Sequence, residues 1–346
     1  MDLLRRILGI KARSGAPTGD DVVITHGDDA AVSAPPEPVV ERPSPLSSAS
    51  RAAAESAAGD EDTAGLMERG MGIVATRPLP PLETVVPQPG QRIRFGALSD
   101  PGMVRSNNQD AMLSLLMAGS STDDLPDVGV FIVADGMGGH QEGERASAIT
   151  TRMVARHVLR EVVLGLLEQR LHDPDRVSIA EVLRQAVHDA NDSVNEQIPE
   201  GGTTVTVTVI LGDLAHIAHV GDSRAYLFSE GSLEQITRDH SLVQRLIELD
   251  QLTPEEAAEH PQRNVLYRAI GQSETLDVDA ITRRLPPRSW LLLCSDGLWN
   301  MVAEETIADV IERHSDPQHA CAELVQLAND RGGPDNISVI LVQMPG

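Results

Sequence analysis

The stretch VFIVADGMGGHQEGERAS, residues 130–147, runs five apolar residues straight into Asp135. It then sets three glycines within four positions, a histidine, and a charged stretch that opens a helix. The apolar part reads as a buried strand that delivers a carboxylate to its end. Asp and Gly are common where a strand meets a turn, so the junction alone has a bland explanation. The other explanation is that Asp135 is held there to bind something, and the surrounding chain has to decide.

Working outward, QRIRFGALSD, AMLSLLM and VGVFIVAD read as three strands. Apolar residues then fall at helical spacing through GERASAITTRMVARHVLREVVLGLLEQRL, and SIAEVLRQAVHDANDSVNEQI is a second helix with a Ser start signal. GGTTVTVTVILGD alternates β-branched residues as strands do, and LAHIAHVGD, RAYLFSEGSLEQIT, WLLLCSDG and ISVILVQM continue the pattern. The helices EETIADVIERH and PQHACAELVQLANDRGG come late in the chain. Strands, two helices, many strands and more helices do not make a repeating βαβ scheme. They fit an α+β domain, a central antiparallel β-sandwich with helices laid on both outer faces.

The 346 residues divide unevenly. Residues 1–90 hold 11 of the 22 prolines and none of the seven aromatic residues. Their Ala, Pro, Ser and acid lack the apolar periodicity that would offset the entropy of ordering. We expect a disordered arm over 1–90 and one folded domain over 91–346. The start of the arm, MDLLRRILGIKARSG, interleaves Leu and Ile with Arg and Lys, as a segment touching a membrane surface or a partner groove does. A frayed terminus with chance amphipathicity reads equally well.

Net charge is −24, and the arm supplies only 13 acidic against 8 basic residues. So acidic a folded part argues against a nucleic-acid partner and suits a protein that gathers carboxylates around cations. No run reaches the length of a transmembrane span and no secretory leader is evident, so a cytoplasmic location is expected. Cys294 and Cys321 are too few for a disulfide framework or a zinc site.

Four apolar runs meet an aspartate at an end: Asp135, Asp222, Asp296 and Asp335, each with Gly, Ser or Asn beside it. If the sheets bring those ends together, the charges need cations, and hard ions such as Mg²⁺ or Mn²⁺ prefer an all-oxygen site. Glycine after Asp135 lets backbone approach closely enough for the Gly136 carbonyl to join it. In GMVRSNNQDAM, Arg105 and Asp110 flank an Asn-rich turn, and an arginine fork suits phosphate oxygens. His140, a few residues past Asp135, could reach a group held over the cations.

Taken together, VRSNNQDA, ADGMGGHQEGERAS, GGTTVTV, HVGDSRAYL, ITRDHSLV, RNVLYRAIG, CSDGLWNMV and GGPDNISVIL resemble, in order, the motifs of bacterial PP2C-type (PPM family) metal-dependent Ser/Thr protein phosphatases. The resemblance covers residues 91–346 and leaves out the arm. It implies that Asp135 bridges two metals, that Gly136 contributes its carbonyl, and that Asp296 and Asp335 complete the site. Asp110 would act through metal-bound water, and Asp222 with Asp296 would hold a third, weaker metal. Arg105 would grip the phosphate of a phosphoserine or phosphothreonine, and His140 would protonate the leaving oxygen after attack by a metal-bridging hydroxide. Residues from about 240 to 275 resemble the family's flap beside the active site.

Many members carry Glu where this chain has Gln109, which would tune the second metal. The implied partners are phosphoproteins made by Ser/Thr kinases. The arm, through residues such as Thr84, would dock a further partner or serve as an unregulated linker. Two other functions remain open at this stage: a catalytically silent phosphoprotein-binding module, and a hydrolase of small phosphoesters.

Overall fold

The computed structural model describes residues 92–119, 126–139, 142–168 and 177–346. The expected arm over 1–90, with Thr84 and the amphipathic start, lies outside the described residues, and so does His140.

Along the chain come strands β1 (Arg94–Asp100), β2 (Asp110–Met117) and β3 (Val128–Met137). Helix α1 (Glu142–Val158) follows and is prolonged by a π turn over Leu159–Val163 and a last helical turn over Leu164–Leu167. After α2 (Ile179–Gln197) come β4 (Gly202–Thr203), β5 (Val205–Leu211), β6 (Leu214–Val220), β7 (Arg224–Ser229) and β8 (Ser232–Gln235). Two short helices, α3 (Leu242–Glu248) and α4 (Pro254–Ala258), precede β9 (Asp279–Arg284) and β10 (Trp290–Cys294). The chain closes with α5 (Asp296–Trp299), α6 (Glu304–Arg313), α7 (Pro317–Asp330) and β11 (Ile337–Gln343).

The strands form two antiparallel sheets. One has the order β1-β11-β10-β7-β8, and the other runs β2-β3-β5-β6-β9 with β4 paired to the end of β3. Strand alternation explains how they stack. Phe131 and Val133 of β3 meet Leu291, Leu293, Ile340 and Val342 between the sheets. Their neighbours Val130 and Ile132 face the opposite way, onto Val154, Leu183 and Val187 of α1 and α2. On the other sheet, Leu292, Val339 and Leu341 face outward onto Ile307, Val310 and Leu324 of α6 and α7. Four layers result, helix on sheet on sheet on helix, as the alternation and helical spacing predict.

The helices start where their residues dictate. Ser178 accepts a hydrogen bond from the Glu181 amide (3.2 Å) to cap α2. Thr253 and Glu256 form a capping box on α4, with Pro254 at its first position. Glu142 and Glu144 lie in the first turn of α1 and Arg156 and His157 in its last, each complementing the helix dipole.

Two expectations need correcting. β3 does not end at Asp135: it runs on to Met137 because Gly136 and Met137 pair with Thr203 and Gly202 of β4. β9 was not foreseen, since its residues, DAITRR, are largely polar and half-buried and carry no clean apolar alternation.

Candidate active site

The antiparallel register of β2 and β3 sets Asp110 directly opposite Asp135. Asp135 is held by its backbone, and its side chain turns to Asp110 and Asp296. Its carbonyl accepts from the Thr204 amide (2.9 Å) and the Thr203 hydroxyl (2.8 Å), and its amide donates to Thr204 Oγ1 (2.9 Å). Thr204 Oγ1 in turn meets Ser223 Oγ at 2.7 Å, so a buried pair of hydroxyls ties Asp135 to the turn that carries Asp222.

Gly136 is required for a close approach. A Cβ there would sit 2.2 Å from the carbonyl oxygen of Gly143 and 2.6 Å from that of Gln109, because the start of α1 packs directly on the strand. The glycine expected to free a carbonyl thus also makes room for backbone. Gln109 is a junction through its main chain: its amide donates to Asn336 Oδ1 (2.8 Å), and its carbonyl accepts from the Gly136 amide (3.2 Å) and Ser147 Oγ (2.6 Å).

The second sheet brings the other two aspartates to the same end. β10 passes through Ser295 into α5, whose first residue is Asp296, and Asp335 stands two residues before β11. Ser295 joins the sheets: its hydroxyl donates to Asp110 Oδ2 (2.8 Å) and accepts from the Ser338 amide (2.9 Å). Asn336 holds the loop carrying Arg105, donating to the carbonyls of Pro101 and Asn107, each at 2.9 Å. Arg105 Nη2 donates to Asp335 Oδ2 at 2.8 Å. The guanidinium expected to grip phosphate is aimed by a carboxylate, with its remaining donors left for a ligand.

Asp222 lies in the turn between β6 and β7, and its carbonyl accepts from Trp299 Nε1 (3.1 Å). Arg224 is spoken for. It forms a bidentate pair with Asp239, donates to the Tyr226 hydroxyl (2.8 Å) and stacks 3.6 Å over the Trp299 ring.

Electrostatics mark the carboxylates as a group. Burial, followed by repulsion from Asp110 and then Asp296, pushes Asp135 well above the usual carboxylate range. Burial, and then Asp222 and Asp335, does the same to Asp296. Asp110 is raised by burial to about 6 despite hydrogen bonds from Ser338 and Ser295, and Asp222 to about 7, with Asp239 adding to burial and Arg224 opposing it. Asp110 Oδ1 and Asp296 Oδ1 are buried with no hydrogen-bond partner. Each such orphan costs about 1–3 kcal/mol or more when charged, and a cation would satisfy it.

Among the described residues no three His, Cys, Asp or Glu side chains are already closed into a ligand group. The donor set is all oxygen, which fits hard divalent ions and not zinc. The two cysteines are free and buried, and burial raises both thiols to about 12, too high for a nucleophile.

Arg105, Asp296 and Asp335 open onto a cleft of about 940 Å³ whose far wall is formed by α3 and α4. That wall is the segment anticipated as a flap. Its first end is tied to the turn before Asp222, the His240 amide donating to the Gly221 carbonyl (2.7 Å) and the Gly221 amide to His240 Nδ1 (3.0 Å), and the returning chain is tied to that end, the Tyr267 amide donating to the His240 carbonyl (2.9 Å).

A four-layer sandwich with aspartates from both sheets gathered at one end, beside an arginine, is the architecture of a protein phosphatase. Residues 104–330 match the family described as protein phosphatase 2C, and the chain belongs to that family. It is similar to protein phosphatase PhpP of Streptococcus pneumoniae, with 37% identity over 255 residues, 73% of this chain and 98% of PhpP. The crystal structure of the Mycobacterium tuberculosis serine/threonine phosphatase PstP/Ppp matches with a TM-score of 0.60 and 32% identity, over 73% of this chain and 99% of that one. A PstP catalytic domain in complex with two manganese ions matches with a TM-score of 0.58 and 31% identity, over 72% and 97%. The chain is accordingly an enzyme of the Ser/Thr protein phosphatase kind.

Sequence reasoning missed Thr203, Thr204, Ser223, Ser295 and Asn336. All lie inside the quoted motifs, where the threonines read as strand residues and the others as turn formers. What they do is hold the aspartates by hydrogen bonds across the fold.

Proposed function

We propose that this chain hydrolyses phosphoserine and phosphothreonine in proteins with the help of two divalent cations, Mn²⁺ or Mg²⁺. The observation that carries the reading is the pair of buried, unpartnered oxygens on Asp110 and Asp296, set from opposite sheets, with Asp296 opening beside Arg105 onto one cleft. Asp135, the Gly136 carbonyl, Asp296 and Asp335 would hold the ions, with Asp110 acting through water and Asp222 serving a third, weaker site. Bound there, the ions supply Lewis acidity and an ionised water near neutral pH.

The protein's own groups do the rest. Arg105, oriented by Asp335, binds phosphate oxygens and favours the charge that develops on them. Ser295 favours the ionised form of Asp110 against burial and holds it in place. Stacked and paired as it is, Arg224 shapes the cleft without reaching for phosphate. His140, known here only from the sequence, would give a proton to the departing Ser or Thr oxygen, a task its ordinary pKa suits. The substrates would be products of Ser/Thr kinases, and the cytoplasm the place of action. Among the described residues no helix is long and apolar enough to cross a membrane.

The test is turnover of a phosphothreonine peptide with Mn²⁺ and with EDTA. Metal-dependent release of phosphate is expected. Metal binding without turnover would instead favour a silent phosphoprotein-binding module.

The hydroxyl pair gives a second expectation. Thr204→Val keeps the side-chain shape but removes the acceptor for the Asp135 amide, and Mn²⁺ affinity should fall by about 10–100-fold. Titration calorimetry would read it, with Thr204→Ser restoring binding. Unchanged affinity in the valine variant would show that the pair does not position Asp135.

A further inference from the structure

We infer that the cleft beyond Arg105 contains an apolar subsite for a side chain adjacent to the phosphorylated residue of a substrate protein; this rests on the phosphatase reading. The cleft, at about 940 Å³, is of the size that encloses a drug-sized ligand, roughly 300–1,000 Å³. A phosphothreonine at Arg105 therefore leaves much of it to the neighbouring residues of the same peptide.

The lining mixes polar side chains such as Gln244, Asn264 and Asn300 with an apolar group. Val243 and Ile247 of α3 and Pro254 and Ala258 of α4 face the cleft, with Met301 following α5. None of these residues belongs to the main bodies of the three packed cores, apart from Met301, which packs at the edge of one. Leu242 and Ala257 bury the inner sides of α3 and α4, while Val243, Ile247, Pro254 and Ala258 are turned to the cleft and lie outside the packed cores.

Charge in the same region is already used. Arg224 and Asp239 neutralise each other, and Trp299 covers the guanidinium. At the rim Glu259 and Arg263 are of opposite sign and set no net preference. The apolar character continues onto the surface at the phosphate end. Met103 and Val104, immediately before Arg105, are each 69% exposed, and Val265, next to the cleft residue Asn264, is 44% exposed. Scattered exposed apolar residues need no explanation, but a set flanking one cleft marks a binding surface. The occupant is the substrate itself, because this wall is continuous with the site that holds its phosphate.

The experiment compares phosphothreonine peptides that carry Leu, Ser or Asp on either side of the phosphorylated residue. The full chain is used, and the Leu-to-Ser ratio of kcat/KM is read within each enzyme. That ratio should be about tenfold in the wild type, carried in KM. It should fall toward one in Ile247→Asn, which makes the wall polar, and in Ala258→Phe, which fills the space from an exposed helix position. Because each enzyme is its own reference, partial loss of folding does not imitate the result. Equal kcat/KM across the wild-type panel, or a preference that survives both variants, overturns the subsite while leaving the phosphatase reading intact. If p-nitrophenyl phosphate is hydrolysed and no phosphopeptide is, the protein phosphatase reading falls, and the subsite falls with it.

Discussion

Replacing Asp296 by Asn is expected to abolish turnover while making the metal-free protein more stable. Asp296 is placed at the start of α5 by the end of β10, and one of its oxygens is buried without a hydrogen bond. Its ionisation is opposed by burial and by Asp222, Asp335 and Asp110. Asparagine has the same shape and no charge. Its oxygen can keep the hydrogen bond from Asn300 Nδ2 (3.2 Å), and its amide can donate toward the aspartates that formerly repelled it. Asparagine spares the fold the cost of either burying that charge or protonating it.

The same substitution would remove one of the proposed ion ligands. Several kcal/mol of charge stabilisation depend on the ions, so kcat/KM should drop on the order of 10³-fold. Phosphopeptide turnover and thermal melting in EDTA would check both halves. Turnover within tenfold of wild type, or a lower melting temperature, would contradict the assignment of Asp296.

The metal-free enzyme should also be less stable at pH 8 than at pH 6.5. Asp110 and Asp222 titrate in the folded protein at about 6 and about 7, and Asp135 and Asp296 are raised well above their ordinary range. A carboxylate raised in this way holds its proton in the folded state after the unfolded chain has lost it. Folded protein then binds more protons than unfolded, and stability falls as pH rises. Each pK unit is about 1.4 kcal/mol, so the decline across this window is on the order of a few kcal/mol.

Below pH 6.5 the opposite trend enters. Burial holds His240 near 3 and also lowers His219, so both stay neutral in the fold while their unfolded counterparts take up protons. Two such histidines only partly offset the four raised carboxylates, so in EDTA the gain in stability toward acid should flatten below pH 6.5 without reversing there. Mn²⁺ needs the ionised carboxylates, so its stabilising effect should grow from pH 6.5 to 8. Urea titrations at the two pH values, with and without Mn²⁺, would measure this. A metal-free protein that is firmer at pH 8 would show that the aspartates do not strain the fold.

Much of this was legible in the chain. The alternation in VFIVAD and VTVTVIL, the helical spacing after Glu142 and the turn residues around each Asp foretold the layers and brought the four aspartates into view. Those features are local, with a period of two or 3.6 residues. What stayed hidden is long-range. Ser295 reaches Asp110 across 185 positions, Asn336 reaches Asn107 across 229, and Arg105 meets Asp335 across 230. No spacing rule encodes those meetings; they exist only once the sheets are stacked. β9 escaped because DAITRR satisfies its backbone in the sheet without offering an apolar face.

The bond from Ser295 to Asp110 has a broader meaning. Asp110 and Asp135 ride on one sheet and Asp296 and Asp335 on the other, so neither half of the protein owns the site. An ion held there as proposed would act as a rivet through the seam of the sandwich, and its binding energy would oppose any separation of the halves. Chelation would accordingly loosen the protein as a whole as well as silence it, and occupancy of the site would report whether the two halves are joined.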